Sequence, residues 1–266
     1  MNFEPEMIVI PAGEFLMGCE TGAANERPAH RVWVDCFAIG RSAITNRLYR
    51  IFLKETGRRA PPGFSQERFN PLDSWADQPV TSVSWFDAAA YCAWLGERAG
   101  KAYRLPNEAE WERAARGGLE AKLYTWGDEA PQTQPRYAEL WRTGPERCGG
   151  RPPNGFGLYD ISENVHEWLA DWYDAGYYSV SPLRNPQGPP TGTRRVSRGG
   201  SWRHQIKIAR VAARSSLPPG YQYSDYGFRC ALSFSTLLHL IFSPRRSQKD
   251  SNSQSNCPVD NTKPGP

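Results

Sequence analysis

The stretch Arg198-Gly199-Gly200-Ser201-Trp202, continued through Ala213-Arg214 to Gly227-Phe228-Arg229-Cys230, decides the reading of this chain. Its fixed phrases are built from glycine, arginine and aromatic residues, which make close turns and anchor them. Between those phrases lie three patches of a different kind: Arg203-His204-Gln205-Ile206-Lys207-Ile208, Ser215-Ser216-Leu217 and Tyr221-Gln222-Tyr223-Ser224-Asp225-Tyr226. Tyrosines alternating with Gln, Ser and Asp give rigid amphipathic contacts with adjustable hydrogen bonds, the side-chain palette of antibody loops.

The rest of the chain suits such a loop-built surface. Its 266 residues fit one large domain, and 10 Trp, 23 Pro and 24 Gly predict many turns pinned by aromatic anchors and little long regular structure. A net charge of +4, from 32 basic and 28 acidic residues, is too mild to argue for nucleic acid. The short basic run Arg194-Arg195 with Arg198 reads as a solvated turn. The six cysteines show neither a CxxC pair nor a repeated metal spacing, so neither a zinc site nor a disulfide framework is expected, and buried free thiols are. The opening residues carry no basic segment followed by an apolar run, and Leu237–Phe242 is far shorter than the roughly 20 residues a membrane-spanning helix needs. The expected location is the cytoplasm, without a membrane partner.

Along the chain, Met7–Ile10 and Glu14–Met17 read as two short strands around Pro11-Ala12-Gly13, with Arg31–Ile39 as a third strand in the same small sheet. Thr45 caps a helix that Gly57 ends. Ser84 with Asp87 starts a second helix from about Phe86 to Arg98, and Asn107 with Glu110 starts a third that ends at Gly117-Gly118. Residues 58–80 look like a long surface loop, and Tyr124–Arg198 like turns with little periodicity. Residues 1–232 form the expected domain. Residues 233–266 form the expected tail, largely disordered, because beyond 243 there is almost nothing to bury.

Several ordered phrases resemble one family, the formylglycine-generating enzymes. They are Met7–Gly18, Pro79–Trp85, Arg104-Leu105-Pro106-Asn107-Glu108-Ala109-Glu110-Trp111-Glu112, Asn154–Asp160 running into Glu163-Asn164-Val165-His166-Glu167-Trp168, and the 198–230 frame. The resemblance covers about residues 7–232 and implies an α+β, C-type-lectin-like fold, loop-rich with few strands and helices. Active members of the family oxidise a cysteine of a client sulfatase with two copper-binding cysteines. Those two positions fall at His204 and Ala209 here, so no copper is expected: an imidazole and a methyl group cannot replace a soft thiolate pair. A branch that binds iron through three histidines is likewise not matched by His30, His166, His204 and His239. Cys230 reads as a core residue, and Asp171, lying between tryptophans, as a cap or turn acceptor.

The resemblance also implies a structural calcium site, with carboxylates at Asp160 and Glu167 and backbone carbonyls at Glu163 and Val165. Two features count against it: Glu163 stands where the family has glycine, and His166 where it has Trp. The alternative is that Glu167 salt-bridges a core arginine.

The three patches resemble the variable proteins of diversity-generating retroelements, some of which use this lectin subtype. In those systems template adenines are copied with error, so random bases at both adenines of AAC reach Tyr, Ser, Asp, His, Arg, Leu and Ile but never Gln, Lys or Trp. Most patch residues belong to the reachable set; Gln205, Gln222 and Lys207 do not. The leading expectation is a non-catalytic protein whose surface at Trp202, Arg203–Ile208, Ser215–Leu217 and Tyr221–Tyr226 binds an unknown macromolecule. The alternatives are an oxidoreductase of the family with a different metal arrangement around His204, and an inactive paralogue that binds sulfatases.

Overall fold

The computed structural model describes residues 3–64, 75–133, 144–203 and 209–234. Of the expected tail, Ser233 and Phe234 are described, and Ser233 ends a strand; residues 235–266, with the apolar stretch Leu237–Phe242, and the patch residues His204–Ile208 lie outside the described residues.

Among the described residues the chain forms three small sheets and three α-helices. The strands in chain order are β1 (Met7–Ile10), β2 (Gly13–Met17), β3 (His30–Val34), β4 (Phe37–Gly40), β5 (Tyr103–Arg104), β6 (His166–Trp172), β7 (Arg195–Arg198), β8 (Ser215–Leu217), β9 (Tyr226–Gly227) and β10 (Ala231–Ser233). The helices are α1 (Asn46–Thr56), α2 (Trp85–Ala99) and α3 (Glu108–Arg116). One antiparallel sheet has the order β1-β4-β10-β5, a hairpin joins β2 and β3, and a third sheet has the order β8-β7-β6-β9, with β6 and β9 parallel.

The helix starts follow the capping chemistry expected of them. Thr45 Oγ1 accepts from Leu48 N, and Ser84–Asp87 and Asn107–Glu110 form complete capping boxes. Gly57, Gly100 and Gly117 close the helices in the left-handed region.

Three strand expectations need correction. β1 and β2 do not share a sheet, because β1 pairs with β4 (Ile8 opposite Ile39) and β2 with β3 (Phe15 opposite Val32). Arg31–Ile39 is two strands, broken where Asp35 leaves the ladder to act as a side-chain hub. Its carboxylate accepts from Trp33 Nε1 at 2.8 Å, Arg184 at 2.6 Å and Asn185 Nδ2 at 2.7 Å, while its N–H donates to Asn185 Oδ1 at 2.8 Å. Third, the segment read as aperiodic contains β6 and β7. Both faces of β6 are covered, so period-two alternation is missing from its sequence.

That double coverage organises the interior. Leu169 packs with Ile10, Phe37, Trp111 and Val196 on one side, while the preceding Trp168 packs with Tyr91, Phe228 and Cys230 on the other. Adjacent residues of a strand point to opposite faces, so β6 divides two hydrophobic clusters.

Asp171 is buried on β6 within this frame and accepts from the N–H of Glu108, the first residue of α3. The reading as a cap acceptor agrees with this. Its Oδ1 has no hydrogen-bond partner among the described residues, and burial, with Glu108 close by, holds its carboxyl well above the ordinary range. The folded state therefore keeps a proton that the unfolded chain releases near the usual carboxylate pKa. Stability from this group is full below that range and falls as pH rises through it. Asp171→Asn, which mimics the neutral acid, is expected to be more stable than the parent at pH 8 and to flatten the decline. Urea unfolding from pH 4 to 9 checks this; an unchanged slope would refute it.

Candidate ligand-binding surface

The arginines of the 198–230 frame each find glutamates from earlier phrases of the sequence. Arg198 donates to Glu108 at 2.7 Å and to Glu112 at 2.6 Å, both on α3, and to the Val211 carbonyl at 2.6 Å. Arg214 grips both oxygens of Glu108 at 2.7 and 2.9 Å, and Arg116 adds a contact to Glu112 at 2.6 Å. Arg229 holds Glu167 through both oxygens, at 2.6 and 2.7 Å, with Trp111 Nε1 donating to the same carboxylate at 2.7 Å. Burial pushes the pKa of Glu108 and Glu112 up, but the facing guanidiniums outweigh it and hold both carboxyls below the ordinary range. Of the basic run read as a solvated turn, Arg194 is exposed, while Arg195 and Arg198 belong to strand β7. Arg198 is fully buried in ion pairs, and the Arg195 guanidinium stacks between Trp85 (3.9 Å) and Trp172 (3.5 Å).

On this frame the patches divide. The loop from Pro218 to Asp225 is tied down by Trp85 N to Pro219 O at 3.0 Å, Ser82 N to Tyr223 O at 3.1 Å and His166 N to Asp225 O at 2.8 Å. Asp225 is buried and accepts from Ser201 Oγ at 2.8 Å, with Arg203 3.8 Å away. Tyr226 is buried too, stacked on His166 at 4.7 Å and placing its hydroxyl 3.4 Å from Ser197 and Ser215. These two predicted surface residues are buried, packed under the loop that carries them. Ser215–Leu217 is the edge strand β8, half-buried, with Ser216 accepting from Arg194 at 2.9 Å. Trp202 is half-buried and Arg203 exposed, while Ser224 is half-buried.

What faces outward is an aromatic patch. Tyr221 is 50% exposed and Tyr223 41%, their rings stacked with centroids 5.9 Å apart. Gln222 lies between them and donates to Asp87 at 3.0 Å, at the start of α2. Phe86, 58% exposed and edge-on to Trp85, sits one residue from Asp87. The sequence reading missed Phe86, since it fell within a helical pattern; the available signal was a large apolar residue at the first turn, off the buried stripe.

Of the two positions where the family carries its cysteines, Ala209 is described and His204 lies outside the described residues. Ala209 is 2% exposed and lies against Gly200, where an added Cβ would stand 3.3 Å from the Ala209 Cα. Cys230 is a core residue, its Sγ 3.5 Å from that of Cys92, and burial pushes its thiol well above the ordinary range.

The calcium ligands expected from the sequence are only partly arranged for an ion. Asp160 and Glu163 are buried close enough to repel, and Glu163 Oε1 has no hydrogen-bond partner among the described residues. Burial, opposed by Arg151 and reinforced by Asp160, pushes the Glu163 carboxyl up to about 9. A hard cation would satisfy both groups. Glu167 is different, because both its oxygens are committed to Arg229 and Trp111. Glu163 has φ +81°, so the turn has the left-handed backbone that favours glycine at this position. Among the described residues no three His, Cys, Asp or Glu side chains converge on one point as metal ligands.

Comparison with known proteins adds to this geometry. Residues 2–234 match the family model described as the sulfatase-modifying factor enzyme 1-like domain. The chain is 35% identical over 241 residues to the serine/threonine-protein kinase pkn1 of Chlamydia pneumoniae, an alignment covering 85% of this chain and 38% of that relative's length. It is 34% identical over 284 residues to the formylglycine-generating enzyme of Bos taurus, covering 85% of this chain and 74% of the enzyme. Among solved structures, PvdO from Pseudomonas aeruginosa superposes with a TM-score of 0.76 at 27% identity, covering 88% of this chain and 96% of PvdO. Treponema denticola variable protein 1 superposes at 0.73 and 24% identity, covering 85% of this chain and 94% of that one, a likeness of fold.

Proposed function

This chain belongs to the sulfatase-modifying factor enzyme 1-like family, with its α+β, loop-rich, C-type-lectin-like fold, and from that membership we propose that it is a non-catalytic member that binds a ligand on a diversified surface. The observation that carries this is the Tyr221–Tyr223 pair: two stacked, exposed rings on a loop fixed by backbone bonds and by an ion-paired frame. Rigid aromatics lose little entropy on contact, which suits recognition of a protein partner. Ala209, buried where the family's copper chemistry needs a thiol, supports the absence of that chemistry. The buried free thiols Cys36, Cys92 and Cys230 support the cytoplasm as its compartment, and no helix among the described residues is long and apolar enough to cross a membrane.

The locus is the test of diversification. A template repeat matching codons 203–226, with differences concentrated at adenines, is expected beside a reverse transcriptase gene. A neighbourhood with neither overturns that part of the reading. A second reading, an oxidoreductase of the family, has the similarity to formylglycine-generating enzyme in its favour. Purified protein consuming oxygen with bound copper or iron, in the presence of a sulfatase peptide, would establish it. Retention of that peptide without turnover would instead identify an inactive sulfatase-binding paralogue.

The same proposal includes a structural calcium ion, with Asp160 and the carbonyls of Glu163 and Val165 as its oxygen ligands. Adding chelator is then expected to lower the melting temperature by several degrees, equivalent to about 1–2 kcal/mol, with recovery on excess calcium. An unchanged melting temperature would remove the ion from the account.

A further inference from the structure

A groove of about 730 Å³ runs beside the tyrosine patch, and Gln222 belongs to both. One wall is the segment Arg58–Phe64 that follows α1, and the other is the start of α2 at Asp87. Tyr49, itself buried in the core, lies at its floor.

The charges in the groove are unequal in what they have left to offer. Asp87 Oδ2 already accepts from Ser84 N at 3.0 Å, Ser84 Oγ at 2.6 Å and Gln222 at 3.0 Å. Arg58 and Arg59 are exposed and carry no carboxylate partner among the described residues; the Arg58 guanidinium lies 5.8 Å from the Phe52 ring centroid and near the Tyr49 hydroxyl. By contrast the exposed Arg31, Arg47, Arg98 and Arg184 are each paired with a carboxylate. Two neighbouring guanidiniums left unpaired beside exposed aromatic rings are a recognition surface for carboxylates, which they can bind in bidentate fashion.

We propose that this groove receives an acidic peptide segment of the partner protein, its carboxylates on Arg58 and Arg59 and its adjoining side chains on Tyr221 and Tyr223. The proposal rests on the ligand-binding reading and gives it a partner class. Charge complementarity selects the occupant: the net positive wall excludes basic segments, and an extended acidic chain fits along the groove into the tyrosine face.

The test uses the full chain and fluorescence anisotropy with fluorescein-labelled hexaglutamate and hexaglutamine. Hexaglutamate is expected to bind at least about ten-fold more tightly, and the preference to fade between about 0.05 and 0.5 M salt. The double variant Arg58→Ala, Arg59→Ala, whose side chains are exposed and should leave the melting temperature unchanged, is expected to abolish it. Equal binding of the two peptides, or a preference that survives the double variant, overturns the proposal. Tighter, Arg58- and Arg59-dependent binding of a heparin fragment overturns the peptide assignment in favour of a polyanionic sugar. Failure of the wider reading shows separately, as metal-dependent oxygen consumption, whichever way the peptides behave.

Discussion

Arg198→Met is expected to cost about 3–5 kcal/mol of folding stability, seen as a lowered urea midpoint with the slope of the transition unchanged. The substitution keeps an apolar stem in place but strips Glu108 and Glu112 of their shared guanidinium in a fully buried setting. Two carboxylates then remain in the core with only Arg214 and Arg116 to balance them. The loss is a large fraction of what a domain of this kind usually has. Acid unfolding moves with it. Because Glu108 and Glu112 have lowered folded-state values, their contribution is present above the ordinary carboxylate range and lost as pH falls through those lowered values. Removing Arg198 lifts those values, so the acid-unfolding midpoint rises. Arg184→Met, at an exposed pair with Asp35, is the control and should stay within about 1 kcal/mol. A buried variant no more costly than this control would show that the network is not what holds the frame.

Glu167→Gln is expected to cost a similar amount, about 3–5 kcal/mol, and to cost it equally in calcium and in chelator. The reason is its pairing. Arg229 grips both oxygens, and the amide that replaces one of them would point a donor at a buried donor. Were Glu167 an ion ligand, the loss would appear only with calcium present. Urea unfolding of parent and variant in both conditions separates the two cases, and a calcium-dependent loss would restore Glu167 to the metal site.

These two variants test what the conserved-looking phrases of the sequence are for. Arg-Gly-Gly-Ser-Trp at 198–202, Ala213-Arg214 and Gly227-Phe228-Arg229-Cys230 were legible as a frame, and the Glu108–Glu112 and Glu163–Trp168 phrases as parts of the same family pattern. Which arginine meets which glutamate was not legible, since the partners are 62 to 106 residues apart in the chain. The helix caps at Thr45, Ser84 and Asn107 were legible because capping is local, decided within three or four residues. Strand β6 was not, because a strand covered on both faces loses the alternation that marks one.

The patch at 221–226 shows the same division within six residues. Composition alone gave tyrosines alternating with small polar residues and treated them as one surface. The fold sends Tyr221 and Tyr223 outward and turns Asp225 and Tyr226 in toward Ser201 and His166. Arg58 and Arg59 show the converse, since they read as part of a long surface loop and become a feature of interest only beside Gln222.

The sequence by itself determined the family, the lectin-like fold, the helix boundaries and the absence of a cysteine pair at positions 204 and 209, because each rests on residue identity or on interactions within a single turn. Only the tertiary structure decided that Glu167 belongs to Arg229, that the frame is an ion-paired core, and which tyrosines reach solvent. Those outcomes depend on burial and on long-range pairing in a low-dielectric interior, and neither is written in the spacing of residues along the chain.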